Sequence, residues 1–199
     1  MGYDDALNKA LEDLAALRPY VAASKSGTDF QNDRFIIPFF NRLFHLTYPD
    51  GEVAVTDDDP GYPKWLRILL MHYVIQSDGS AMADQWITYR QLPGANFFEQ
   101  RFMNMCINPL TQAFGEDLEG FKRGAQALGG EPITRTGDAA FKFHALPRVP
   151  MACILYQGDE EVQPAINVVF DATAPQYLPT EDLSLLGVYL NGMQRYRTA

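Results

Sequence analysis

The stretch from residue 133 to 170 constrains the fold more than any other part of the chain. Four apolar runs, at 133–135, 139–145, 151–157 and 165–170, read as strands because β-branched and aromatic residues alternate between turn signals. Thr136-Gly137-Asp138 and Gly158-Asp159-Glu160-Glu161 supply the hairpin tips. Helical crossovers do not separate these strands, so the sheet is expected to be antiparallel or mixed within an α+β fold.

The remaining elements are predicted around that sheet. Ala6, Leu7, Ala10, Leu11, Leu14 and Leu17 recur at helical spacing over 4–22, with Asp4 or Asp5 as the cap. Pro19 and residues 24–28 mark the end of that helix and a loop. Short strands are predicted at 35–37, 44–48 and 53–55, the last two joined through Pro49-Asp50-Gly51-Glu52 as a hairpin. An acidic loop, 57–60, follows without the ligand pattern of a calcium site. Residues 65–75 form a largely buried helix with Pro63 at its first turn, and 85–92 a strand ending at Pro93-Gly94. Two helices fill 95–128, interrupted at Asn108-Pro109 and closed by Gly129-Gly130. A C-terminal helix covers 181–193, with Pro179 and Thr180 at its mouth. Neither an internal repeat nor a low-complexity linker interrupts the chain, so residues 1–199 are read as a single α+β domain.

Composition narrows the partners. With 47% apolar and 21% charged residues the chain is too hydrophobic to remain disordered. A formal charge of −9 repels nucleic acid and anionic membrane surfaces. Residues 1–59 hold 11 of the 25 acidic side chains and 5 of the 16 basic ones, a solvated acidic face. A small anionic ligand near Arg90 or Arg148 is still compatible with that distribution. The most apolar stretch, 65–75, contains Arg67 and His72 and is too short to span a bilayer. With no secretory signal at the amino terminus, a soluble, cytoplasmic protein is expected. Cys106 and Cys153 lie in no C-x-x-C motif, so neither a zinc site nor an ordinary iron–sulfur cluster is expected, and the two thiols read as buried and reduced. Lys25-Ser26 lacks the frame of a phosphate loop, and Gly-x-Ser-x-Gly, His-Glu-x-x-His and glycine-rich dinucleotide turns are absent.

Several segments carry a resemblance: FFNRLFHLTYPDGEV, LLMHYVIQSDG, WITYRQLPG, GDAAFKFHALPRVPMACILYQGDEE and VVFDATAPQYLPTEDLSLLG, running from Phe39 to Gly187. In combination they resemble domain-of-unknown-function family 3786, a prokaryotic family common among anaerobes. The resemblance implies no settled activity. Some relatives are joined to cysteine-rich iron–sulfur segments, which implies a setting of low-potential redox or cofactor metabolism and a redox-protein partner. With two cysteines here, direct cluster binding does not carry over.

Candidate site residues cluster in three places. At 170–181 an apolar strand ends in Asp171, and a Pro-bounded loop carrying Tyr177 leads to Glu181 at a helix start. Equally, Asp171 can cap the loop's own amides, while Glu181 and Asp182 suit a helix N-terminus. At 143–150, His144 precedes Arg148, which two prolines hold in a defined direction as a carboxylate or phosphate fork, or as a tie to Asp171 or the Glu160-Glu161 tip. In the apolar helix, His72 beside Tyr73 is either a satisfied core residue or a base or axial ligand. Arg90 and Tyr89 close the strand at 85–92, and alternation does not decide which way they face.

With 10 Tyr and 13 Phe available to wall a pocket, the leading expectation is an accessory domain for a small molecule or a cofactor of unspecified identity. The alternatives are an enzyme of anaerobic cofactor or one-carbon metabolism using His72 or His144 with Asp171, and a homodimeric protein-interaction module.

Overall fold

The computed structural model describes residues 2–55 and 62–197, so the acidic loop at 57–60 lies outside the described residues. Two antiparallel sheets organise the chain. The first has strand order β1-β2-β3-β4, built from β1 (Asp29–Gln31), β2 (Arg34–Phe39), β3 (Arg42–Thr47) and β4 (Val53–Val55). The second has order β5-β9-β8-β7-β6, from β5 (Trp86–Thr88), β6 (Glu131–Ile133), β7 (Ala139–Leu146), β8 (Val149–Tyr156) and β9 (Ala165–Asp171). All pairings are antiparallel, so the α+β expectation holds and the mixed-sheet option falls away. The sheets meet where the Phe40 N–H donates to the Ala145 carbonyl at 3.1 Å. A buried apolar cluster runs through both, from Ala10 and Leu14 to Leu190 and Met193.

Helix boundaries depart from the sequence expectation where a proline is tolerated rather than disruptive. α1 (Tyr3–Ala15) ends before Pro19, and Pro19 opens a second helix, α2 (Pro19–Ser26). At a first helical position the missing N–H costs nothing, since that group has no intrahelical partner anyway. Residues 24–26 therefore belong to α2, and Gly27 ends it at φ 69°, a left-handed cap that glycine adopts freely. Asn108-Pro109 likewise fails to break its helix. α4 (Glu99–Phe102) runs through a π turn (Met103–Ile107) into α5 (Asn108–Phe114), and the wider turn lies just where proline removes a bond. The break comes instead at 115–117, where Asp117 accepts the Gly120 N–H at 2.8 Å to cap α6 (Leu118–Ala127).

The remaining helices are α3 (Lys64–Gln76) and α7 (Thr180–Tyr189), and the chain leaves α7 as a 3-10 helix (Leu190–Tyr196). Among the described residues no helix is long and apolar enough to cross a membrane.

One further departure positions the site. The strand expected over 85–92 stops at Thr88. Both the Thr88 N–H and its hydroxyl donate to Gln91 Oε1, at 2.9 and 3.1 Å. Tyr89 turns inward and stacks on Phe102 with ring centroids 4.0 Å apart and planes 10° off parallel. The chain leaves the sheet there as a 3-10 turn (Tyr89–Gln91), so β5 covers only the Val169–Asp171 end of β9.

Candidate functional site

Beyond Thr88 a cleft of about 830 Å³ opens between the free flank of β9 and the continuous helix α4–π–α5. Ile166 and Val168 form its sheet side, and Phe102, Met103 and Ile107 its helical side. Asn108, Thr111, Gln112 and Asn167 ring it with amides and hydroxyls. Its charged lining balances, with Arg90 and Arg197 against Glu99 and Glu116. Both cations are already engaged. Arg90 holds Glu99 at 2.6 Å and Arg197 holds Asp117 at 2.6 Å. Burial pushes the Tyr89 hydroxyl up to about 12, so it stays protonated at neutral pH and donates to the Thr180 carbonyl at 3.2 Å. The cleft thus offers an apolar body and neutral polar groups, at a size typical of ligand sites.

Of the seven ligand-binding candidates singled out from sequence, only Arg90 lines this cleft, together with Tyr89, which is named beside it. His144 is exposed on β7 and pairs with Pro150 across the hairpin. Pro150 is therefore a strand residue, and only Pro147 lies in the turn beside Arg148. Asp171 occupies the same outer face of the sheet, at the edge of a second recess of about 270 Å³ shared with Trp86, Lys142 and Pro150. The carboxylate is nonetheless spent locally. Its Oδ1 accepts the Thr173 N–H, the Thr173 hydroxyl and the Ala83 N–H, at 2.9, 2.5 and 3.1 Å. Arg148 forms no ion pair with Asp171, Glu160 or Glu161 among the described residues; its main-chain N–H donates to the Tyr73 hydroxyl. Tyr177 is buried, and its hydroxyl donates to the Ser80 carbonyl. Glu181 is exposed beside Arg101 at 3.3 Å. Cys106 and Cys153 are buried free thiols, pushed up by burial. No cluster of three or more His, Cys, Asp and Glu suited to a metal occurs among the described residues.

His72 has a different carboxylate from the one considered in the sequence. Its Nδ1 lies 2.6 Å from Asp182 Oδ2, tying the middle of α3 to the first turn of α7. The hydrogen bond to Asp182 raises its pKa above the ordinary 6.5; burial opposes this, and Asp13 and Glu181 add to the increase. A raised folded pKa contributes stability that is complete below the ordinary value and is lost as pH rises through the folded one. Thermal melts between about pH 5 and about pH 9 should therefore show the native protein losing its margin over His72→Gln as pH increases. Parallel curves for the two proteins would contradict the pairing.

Apart from Arg90 and Tyr89, the cleft's residues escape sequence reasoning because none is chemically conspicuous. The only advance signal is the early stop of β5, and that depends on Tyr89 meeting Phe102 in space.

An α+β domain with a neutral cleft at one sheet edge is thus the class defined by the fold. The chain belongs to the family described as Domain of unknown function (DUF3786), whose model matches residues 18–193. No curated protein and no solved structure matches it.

Proposed function

We propose that the protein is an accessory binding domain whose ligand occupies the cleft between β9 and α4–π–α5. The observation that carries this reading is the cleft's combination of size and lining: about 830 Å³, apolar on two sides, with two cations and two carboxylates in its lining and both cations engaged in ion pairs. An uncharged ligand with an apolar body and amide-like polar groups would leave no buried charge unpaired. Of the groups an acid–base mechanism would draw on, His72 is tied to Asp182 and Asp171 to its capping bonds, and His144 does not line the cleft.

Asn108 is exposed at the cleft wall, so Asn108→Trp fills the cleft without entering the core. N-methylbenzamide and N-butylacetamide, titrated as neutral amide probes, should bind the native protein saturably and the variant at least about tenfold more weakly. Absence of saturable binding, or equal binding by both proteins, would overturn the proposal.

A further inference from the structure

We propose that the natural ligand of this cleft is an uncharged, extended segment of a partner polypeptide, held along the helical rim by a row of carboxamides: Gln100, Asn104, Asn108 and Gln112. The inference rests on the cleft being the binding site and goes further by naming what fills it.

The row begins as a sequence pattern. Four carboxamides recur at intervals of four residues from α4 through the π turn into α5, which places them along one stripe of the helix. The π turn does not break that stripe. Gln100 Nε2 and Asn108 Nδ2 both donate to Asn104 Oδ1, at 3.1 and 3.5 Å, so three of the side chains form one hydrogen-bonded chain. All four are exposed, and Asn108 and Gln112 border the cleft. The solvent side of a helix ordinarily carries charged residues among its polar ones. This stripe carries none.

Each carboxamide has two donor hydrogens and an acceptor oxygen. The existing bonds occupy the oxygen of Asn104 alone. Gln100 and Asn108 each keep a free oxygen and a free N–H, and Gln112 makes no hydrogen bond among the described residues. Three side chains therefore present a donor beside an acceptor. That is the complement of the N–H and C=O that one residue of an extended chain turns to the same side. The spacing agrees as well. Four helical residues rise about 6 Å, and two residues of extended chain advance about 6.6–6.8 Å. Successive carboxamides can thus meet every second residue of the segment. A compact small molecule cannot use such a row, and a helical segment has already spent its main-chain groups internally.

β9 supplies no main-chain bond to the segment, because Ile166 and Val168 are covered, at 2% and 4% exposure. It walls the far side of the cleft instead. One set of alternate side chains of the segment enters the cleft against Met103 and Ile107, where a charge would lose its hydration unpaired. Met103 is 37% exposed, and its unbranched side chain can adapt to different apolar partners.

The test selects displayed random octapeptides on the native chain. The highest-enriched one, synthesised with blocked ends, is then titrated into the native protein and Asn104→Leu. Asn104 is exposed and lies outside the cleft lining, so leucine, of nearly the same shape, removes the centre of the row without altering the cleft. The peptide should bind the variant at least about fivefold more weakly, while N-methylbenzamide binds both proteins within about twofold. On the native chain, N-methylation of alternate peptide residues should weaken binding at least about tenfold in one register and less than about threefold in the other. That contrast does not depend on the variant. Peptide binding unchanged by Asn104→Leu, or equal weakening by both N-methyl registers, would overturn the proposal. Equal loss of peptide and N-methylbenzamide by the variant would overturn it too, since Asn104 would then act on the shape of the cleft. If no octapeptide is enriched while N-methylbenzamide still titrates the cleft, the ligand is a small molecule and only this inference fails. If neither probe binds, the cleft reading fails with it.

Discussion

Tyr73→Phe is expected to destabilise the protein by about 3 kcal/mol, visible in denaturant melts and as a fall in Tm of roughly 6–12 °C. Tyr73 is fully buried in α3. Its hydroxyl donates to the Ser26 carbonyl at 2.5 Å and accepts the Arg148 N–H at 3.0 Å. One oxygen thereby joins the last turn of α2, the last turn of α3 and the turn between β7 and β8. The Ser26 carbonyl belongs to a helix end and the Arg148 N–H to a tight turn, so neither has a regular partner of its own. Removing the hydroxyl leaves both without one, and each unsatisfied group costs about 1–3 kcal/mol. The ring stays, so the loss comes from hydrogen bonding rather than from a cavity. A change below about 0.5 kcal/mol would mean that water replaces the hydroxyl and that the junction is not sealed.

Asp171→Ala should cost a similar amount, about 3 kcal/mol, while leaving the cleft competent. At 1% exposure the carboxylate would be pushed up by burial, but the bonds from Thr173, Ala83 and Asp84 outweigh this and hold it below the usual carboxylate range. A depressed pKa contributes stability that is present above the ordinary value and lost as pH falls through the folded one. The native protein should therefore lose more stability on acidification than the alanine variant. Asp171 does not line the cleft, so N-methylbenzamide binding by the folded fraction should be unchanged. A folded Asp171→Ala protein that no longer binds the probe would move the site to the recess beside Trp86 and Lys142.

These two residues show where sequence reasoning reaches and where it stops. Three of the four strands expected in the last third are legible because alternation and turn chemistry are local, and the structure finds them at β7 to β9, whereas the strand expected at 133–135 lies two residues earlier, as β6. Local rules also suffice for Asp171, whose capping of its own loop at Thr173 is one of the two readings its position allows. Its Ala83 partner is 88 residues away and leaves no trace in spacing. The His72–Asp182 pair spans 110 residues and is equally invisible. Pro19 and Pro109 mislead because a proline's effect depends on its helical position, which the sequence alone does not reveal. The cleft is least legible of all. Its lining is made of ordinary side chains, brought together where a stacked Tyr89 ends β5 three residues after it begins.

The central claim is tested most directly by an amide-resolved NMR titration of the full chain with N-methylbenzamide. A ligand in the cleft should shift the amides of Ile166, Asn167 and Val168 together with those of Met103 and Ile107 on the facing helix, saturating with a single Kd. Shifts confined to Trp86, Lys142 and Asp171 on the outer sheet face, or no saturable shift at all, would contradict it.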